Sequence, residues 1–345
     1  MEQEFTQKTI ELKLNAPIGK IKVSKLLTIL DNHPHKESIV KIMDINSIID
    51  DVIVIENVDA AFQAIKQANE KFEKLNVIAE TKNIDVNYSN TDDKPTLNFL
   101  FEECIVDDEL KENLVAEAIY DSKNKFFKEY EMSKYANHLT KIGLTDLVKQ
   151  NVLYFKNRAT LIKSNNKSSS YRLLKNGDKH YLRGITTEKY NEYGIDFTFF
   201  VTIILLHLRM KQNSGDNYSI VYLSLSESKL DMIVKDNRNF SVQNFGDIKL
   251  AVKISTNELG NGSLNVVSTI RVEGENDSTL VYLFPKEKNQ IQTKYLINHI
   301  TGLSKVFSKL EEFKALFNIS DQFVNDIKDI QGIKTPDELR LKIQS

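Results

Sequence analysis

Apolar and polar positions change their period several times along this chain, and each change predicts an element. Thr9 to Leu14 alternates as a strand does, and Val23 to Asp31 has helical spacing. Asp51 to Glu56, DVIVIE, is a short apolar run suited to a buried strand. Asn57 then stands where a helix cap is expected, with Asp59 in the first turn and Ala61, Phe62, Ile65, Ala68, Phe72 and Leu75 recurring at the helical period. Asn83 to Pro95 is turn-rich and predicts an exposed loop. Asp107 to Tyr120 and Lys123 to Leu139 predict helices, whereas Val152 to Leu161 is strand-like. Ile195 to Gln212 predicts a helix around the apolar run FTFFVTIILLHL. Residues 218–225, 247–255, 264–273 and 278–284 predict strands separated by turn-forming clusters, and 288–316 carries a long amphipathic helical pattern. Thr335 ahead of Pro336, Asp337 and Glu338 caps a last short helix.

These elements predict an α+β fold: a central, mainly antiparallel sheet with packed helices, an N-terminal α/β region and a C-terminal helical tail. Residues 1–150, 151–287 and 288–345 are the three expected segments. No internal repeat and no heptad run is present. The longest apolar stretch, Phe197 to Leu208, falls short of the ~20 residues needed to span a bilayer, so no membrane partner is expected. MEQEFTQKTIELKLN lacks the basic start and apolar core of a secretory leader. A single cysteine, Cys104, in an apolar and acidic setting excludes an intrachain disulfide and suggests a reducing compartment. Together these features predict a cytoplasmic protein of a bacterial host, or a virion-associated one.

Charge changes the picture most in one stretch. The formal net charge of the 345 residues is −2, yet residues 152–213 hold eleven Lys or Arg against four acids. That segment is therefore about +7 and the remainder about −9, by simple counting. Within it, Tyr171 to Tyr190, YRLLKNGDKHYLRGITTEKY, predicts a β-hairpin turning at Asn176-Gly177. Single-stranded nucleic acid asks for this mixture, with cations to neutralise phosphates and aromatic faces to stack bases. Arg158, Lys163, Lys167, Arg172, Lys175, Lys179 and Arg183 are the candidate phosphate contacts. Tyr171, Tyr181 and Tyr190 are the candidate stacking faces. His180, in the same hairpin, is a further candidate for phosphate. A solvated sheet face with packed tyrosines and a contact for an acidic protein surface are the competing explanations.

Chemistry beyond binding finds little footing. Neither a phosphate-binding loop nor a dinucleotide fingerprint occurs, and Gly260-Asn261-Gly262-Ser263 has the spacing of a turn between strands. His33 and His35 flank Pro34 without a further ligand pair at metal spacing, and read as a solvated loop. His207, inside an apolar run, reads as a satisfied core histidine. No metal or other cofactor is expected, and no catalytic residue is assigned.

Two stretches carry a family resemblance. Arg183-Gly184 followed by Thr187-Glu188-Lys189-Tyr190, then a polar residue or two and a long apolar helix, is one. The other is Gly246 to Ile270, where Thr256-Asn257-Glu258-Leu259-Gly260-Asn261-Gly262-Ser263-Leu264 matches the motif [ST]-N-S-E-x-G-x-G-[AS]-L except for one missing serine. The following R-x-x-C-x-N-G element keeps Arg271 but has Glu273-Gly274-Glu275-Asn276 in place of its Cys and Asn-Gly. Over roughly residues 170–284 the chain thus resembles the uncharacterised phage/plasmid-like protein family. The resemblance implies a mobile-element setting and no particular reaction. Asn176, Gly177, Asn257, Glu258, Gly260 and Gly262 are expected at structural turns, Glu258 also as a buried partner for a hairpin cation.

The resulting expectation is a non-catalytic phage- or plasmid-encoded accessory protein of DNA metabolism that binds single-stranded nucleic acid through the basic aromatic hairpin. The alternative is an oligomeric phage structural or host-takeover interaction protein, whose basic segment meets an acidic surface.

Overall fold

The computed structural model describes residues 5, 7–12, 19–91, 94–158, 166–238, 240–242, 246–259, 263–273, 280–283, 294–310 and 335. The fold is mixed α+β with antiparallel sheets. It divides into two compact units, and the division does not follow the expected segments 1–150, 151–287 and 288–345. One unit takes residues 1–67, 191–258 and 262–345, and the other takes 68–190 and 259–261.

In chain order the first unit contributes β1 (Lys8–Thr9), β2 (Lys20–Lys22), α1 (Val23–Leu27), α2 (Lys36–Ile42), β3 (Val52–Val54) and α3 (Val58–Lys71), whose last turn passes into the second unit. Asn57, expected to cap α3, stands directly before it, and its carbonyl accepts the Ala61 N–H at 3.0 Å; it is buried with a left-handed φ of 64°, and its side-chain amide donates to the Ile220 carbonyl at 3.0 Å.

The second unit then supplies β4 (Glu73–Glu80), β5 (Ile84–Thr91), β6 (Lys94–Val106), β7 (Glu109–Ala118), α4 (Ser122–Lys128), α5 (Ser133–Lys141), α6 (Thr145–Lys156), β8 (Ser168–Asn176) and β9 (Lys179–Thr186). Three expectations are corrected here. The loop placed at 83–95 is mostly β5, the helix placed at 107–120 is β7, and the strand placed at 152–161 begins as the end of α6. ELKENLVAEA is rich in helix formers, but its backbone is claimed by β6 through pairs from Asn98↔Glu117 to Val106↔Glu109. In α6, Val148 and Val152 lie four residues apart and are both buried, so the β-prone residues 152–155 serve a helix face.

The chain returns to the first unit with α7 (Ile195–Gln212), β10 (Tyr218–Leu225), β11 (Lys229–Asp236), β12 (Phe240–Val242), β13 (Gly246–Asn257), β14 (Ser263–Glu273), β15 (Leu280–Leu283) and β16 (Lys294–Asn298). An eight-stranded sheet runs β1-β10-β11-β13-β14-β15, with β12 on β13 and β16 on β14, and all its pairs are antiparallel. α7 coincides with its predicted span, and its apolar residues are buried nearly all round, as its uniform hydropathy requires. Part of the expected 288–316 helix is instead β16; residues 299–302 turn, 303–310 are helical, and 288–293 and 311–316 lie outside the described residues, as does the last short helix. No helix among the described residues is long and apolar enough to cross a membrane.

The second unit closes on itself. β4 pairs with β8, β8 with β9, β9 with β7, β7 with β6, and β6 with β4 through Val77↔Val106 and Ile78↔Ile105. β5 continues β4 after a 3₁₀ turn at Thr81–Asn83 and pairs with β6, so β4 and β5 act as one bent first strand. Counted that way, five strands run 1-2-3-5-4 around the barrel. The one parallel contact, Glu117↔Tyr181 and Ala118↔Leu182, joins the third strand to the fifth, and the helices fall between the third and fourth. This is the connectivity of an OB-type Greek-key barrel. Its core holds Phe99, Phe101, Phe126, Phe127, Tyr171 and Leu173. Each such side chain, fully buried, contributes roughly 1.5–3 kcal/mol of transfer free energy.

Candidate nucleic-acid interface

The hairpin expected at 171–190 forms, as the fourth and fifth strands of the barrel. Its loop is Gly177-Asp178, one residue later than predicted, because Asn176 pairs with Lys179. Gly177 has φ of 59° while Asp178 does not have a positive φ, which matches a II′ hairpin turn with glycine first.

Barrel closure decides what the hairpin exposes. Tyr171, Arg172, Tyr181 and Arg183 are all buried, so the expected exposed crest of cations and tyrosines is corrected at these four positions. Tyr171 meets the Phe101 ring edge-on at 5.2 Å, and burial pushes its hydroxyl far above the ordinary tyrosine value. The Arg172 guanidinium lies 4.8 Å from the centre of the half-buried Tyr190 ring, a cation–π contact that occupies the ring itself. Gly184 lies where a Cβ would come 3.1 Å from the Leu259 carbonyl oxygen, so its lack of a side chain lets that segment approach.

The remaining cations stay toward solvent. Lys179 is exposed; Lys175 pairs with Glu73 at 2.9 Å across the β4–β8 pair; Lys167 pairs with Glu129 at 3.0 Å. Surface pairs of this kind hold little energy, so both lysines remain exchangeable to another anion. Lys167 and Lys175 stand eight residues apart, or roughly 26 Å along an extended strand. Arg158 is exposed above the Tyr154 ring at 4.4 Å, and Tyr154 is exposed too. Tyr154 is thus an aromatic face that the sequence reading overlooked, because the strand placed at 152–161 hid its helical pairing with Arg158 at i+4. Lys163 lies outside the described residues. His180 is half-buried, and burial and then Lys175 lower its pKa, which favours the neutral ring and removes it as a phosphate cation at neutral pH.

Strands two and three, the face that OB barrels commonly use, carry the opposite charge. Residues 102–117 contain seven acids and one lysine. Burial raises the Glu117 carboxyl above its ordinary value, while Lys179 acts to lower it.

The expected turn residues divide. Asn257 is the last residue of β13, paired with Lys229, and Gly260 and Gly262 lie outside the described residues. Glu258 belongs to the first unit and is buried, where its carboxylate accepts a hydrogen bond from the Ile195 N–H at 2.8 Å and so caps α7.

The other titratable groups form closed local networks. His207 donates to Asp51 at 3.0 Å, and Lys211 donates to the same oxygen at 2.8 Å. Arg209 at 2.8 Å and Tyr218 at 3.0 Å both donate to Asp216. His33, read as solvated, is half-buried, donates to the Glu192 carbonyl at 2.9 Å and stacks on Phe197 at 6.0 Å. Cys104 is buried, which raises its thiol pKa. No group of three or more His, Cys, Asp or Glu among the described residues is arranged to hold a metal ion. No protein-family model and no curated protein matches the chain.

Proposed function

We propose that the chain is a non-catalytic accessory protein of phage or plasmid DNA metabolism whose barrel unit binds single-stranded nucleic acid. The observation that carries this reading is the barrel connectivity, which makes the basic hairpin its fourth and fifth strands. The loop between those strands is one of the two that OB barrels use for oligonucleotides. The contact differs from the one the sequence suggested. Lys175 and Lys179 bracket the turn, Lys167 lies at the far end of β8, and the Arg158–Tyr154 pair offers an exposed stacking face. The acidic second and third strands repel phosphate, so the nucleic acid lies along the hairpin side. Barrels of this type occupy about 4–16 nucleotides, enough to span the length of β8.

Fluorescence anisotropy with a labelled single-stranded oligonucleotide tests the assignment. Lys175→Gln/Lys179→Gln, which removes both charges without placing a carboxylate opposite Glu73, is expected to weaken binding at least about tenfold with little change in melting temperature. Unchanged affinity in a folded double variant sinks this placement of the site.

A further inference from the structure

The barrel unit carries two surfaces that the proposed nucleic-acid contact leaves unused, and they complement one another. The first is the outer side of β6 and β7. Their turn, Asp107-Asp108, has φ values of 51° and 64°, the paired positive values of a I′ hairpin. Next to it Ile105 and Leu110 are direct cross-strand partners, and both are exposed, Leu110 by 65%. Val115 is 51% exposed further along β7. Between them Glu103 stands opposite Glu112, and both are exposed. Like charges directly opposite across a ladder destabilise it, and a cation placed over them reverses that cost.

The second surface is the elbow between α5 and α6. Just past the end of α5, Gly143 has a φ of 81°, a left-handed helix terminator. Tyr135 lies on α5 and Ile142 directly after its last residue, and Leu144 and Leu147 follow across the elbow. All four are exposed, Ile142 by 53%. Lys134, Lys141 and Lys149 flank them, with Asp146 the one acid between residues 133 and 158. Apolar groups gathered this way on a folded surface mark a docking site.

We propose that the acidic, apolar β6–β7 hairpin of one molecule docks on the basic, apolar α5–α6 elbow of a second copy of the same chain. Lys141 and Lys149 then neutralise the Glu103–Glu112 pair, while Leu110 and Ile105 cover Ile142 and Leu147. The two patches are different surfaces, so the contact is heterologous. A pair so formed keeps one free hairpin on one molecule and one free elbow on the other, and the assembly grows into a ring or a filament. This association needs no nucleic acid, so its failure and the failure of the proposed binding function are separable.

Sedimentation velocity of the full chain without nucleic acid tests the proposal. The wild type is expected to assemble with rising concentration and to dissociate with added salt. Glu103→Lys/Glu112→Lys and Lys141→Glu/Lys149→Glu are each expected to weaken self-association at least about tenfold. An equimolar mixture of the two variants decides the matter, because each retains one of the two native patches. The mixture is expected to assemble again, because the native hairpin of one variant meets the native elbow of the other and the two reversed patches also complement each other, which also shows that both variants are folded. A wild type that stays monomeric at all concentrations, assembly that survives both charge reversals, or a mixture that does not assemble overturns the proposal.

Discussion

Glu258 and Gly194 fit each other at the start of α7. The Glu258 carboxylate accepts the Ile195 N–H at 2.8 Å, and a Cβ on residue 194 would overlap that carboxylate, with its Cδ at 2.6 Å. The φ of Gly194, −78°, is open to any residue, so the glycine is needed for space. Gly194→Ala is therefore expected to cost about 1–3 kcal/mol by forcing the carboxylate aside. Glu258→Ala is expected to cost a similar ~1–3 kcal/mol by leaving a buried donor unsatisfied, and Glu258→Gln, which keeps an acceptor oxygen, less. Urea unfolding at neutral pH measures all three, and equal stability of Gly194→Ala and the wild type contradicts the packing described.

The hairpin turn gives a second test. Gly177 is held at φ of 59° with nothing within 4 Å of where its Cβ would lie, so a substitution there is felt through the backbone alone. Gly177→Ala is expected to destabilise the barrel by about 1 kcal/mol. A stabilised variant in thermal unfolding would show that the turn is not of this type.

Tyr171 separates a core role from a base-stacking role. Its ring is buried against Phe101, so Tyr171→Ala is expected to cost about 3–5 kcal/mol. Tyr171→Phe keeps the ring, loses about 1 kcal/mol with the hydroxyl, and leaves oligonucleotide binding unchanged. Tyr154→Ala, at an exposed ring, is expected to do the reverse, weakening binding with little change in stability. Binding titrations and melts on the same samples read both quantities; a folded Tyr154→Ala that binds as tightly as the wild type would contradict a stacking role for that ring.

His33 gives the chain a pH dependence. Burial holds its pKa below the ordinary value of 6.5, against opposing contributions from Glu192. The unfolded chain then binds the proton more readily than the folded one. Stability is complete above about pH 6.5 and is lost as pH falls toward the folded value. His33→Gln is expected to flatten the dependence of the urea midpoint on pH just below 6.5, and an unchanged slope would mean that the ring is not held neutral.

What the sequence showed depended on whether an element is fixed by its own residues or by its partners. The span of α7 was legible because one long apolar run is bounded by Gly194 and Asn213. The strands β10, β13 and β14 were legible from β-branched runs between turns. β7 was not, because helix-forming residues were drafted into a ladder by β6, and β11 was missed between its two neighbours. The same limit applies to the hairpin. Its existence could be read from Asn176 and Gly177, but not its exposure. Arg172 and Arg183 look like surface cations in any local window, and only the closed barrel puts them inside. Tyr154 and Arg158 were adjacent only once α6 was known to be a helix.

The most direct measurement is the affinity of the wild-type chain for a short single-stranded oligonucleotide as salt is raised. Three or four lysine and arginine contacts to phosphate predict a log–log slope of roughly −2 to −3, at about −0.7 per phosphate neutralised on a single strand. No binding at the lowest salt, or an affinity indifferent to salt, would contradict the assignment of the barrel to single-stranded nucleic acid.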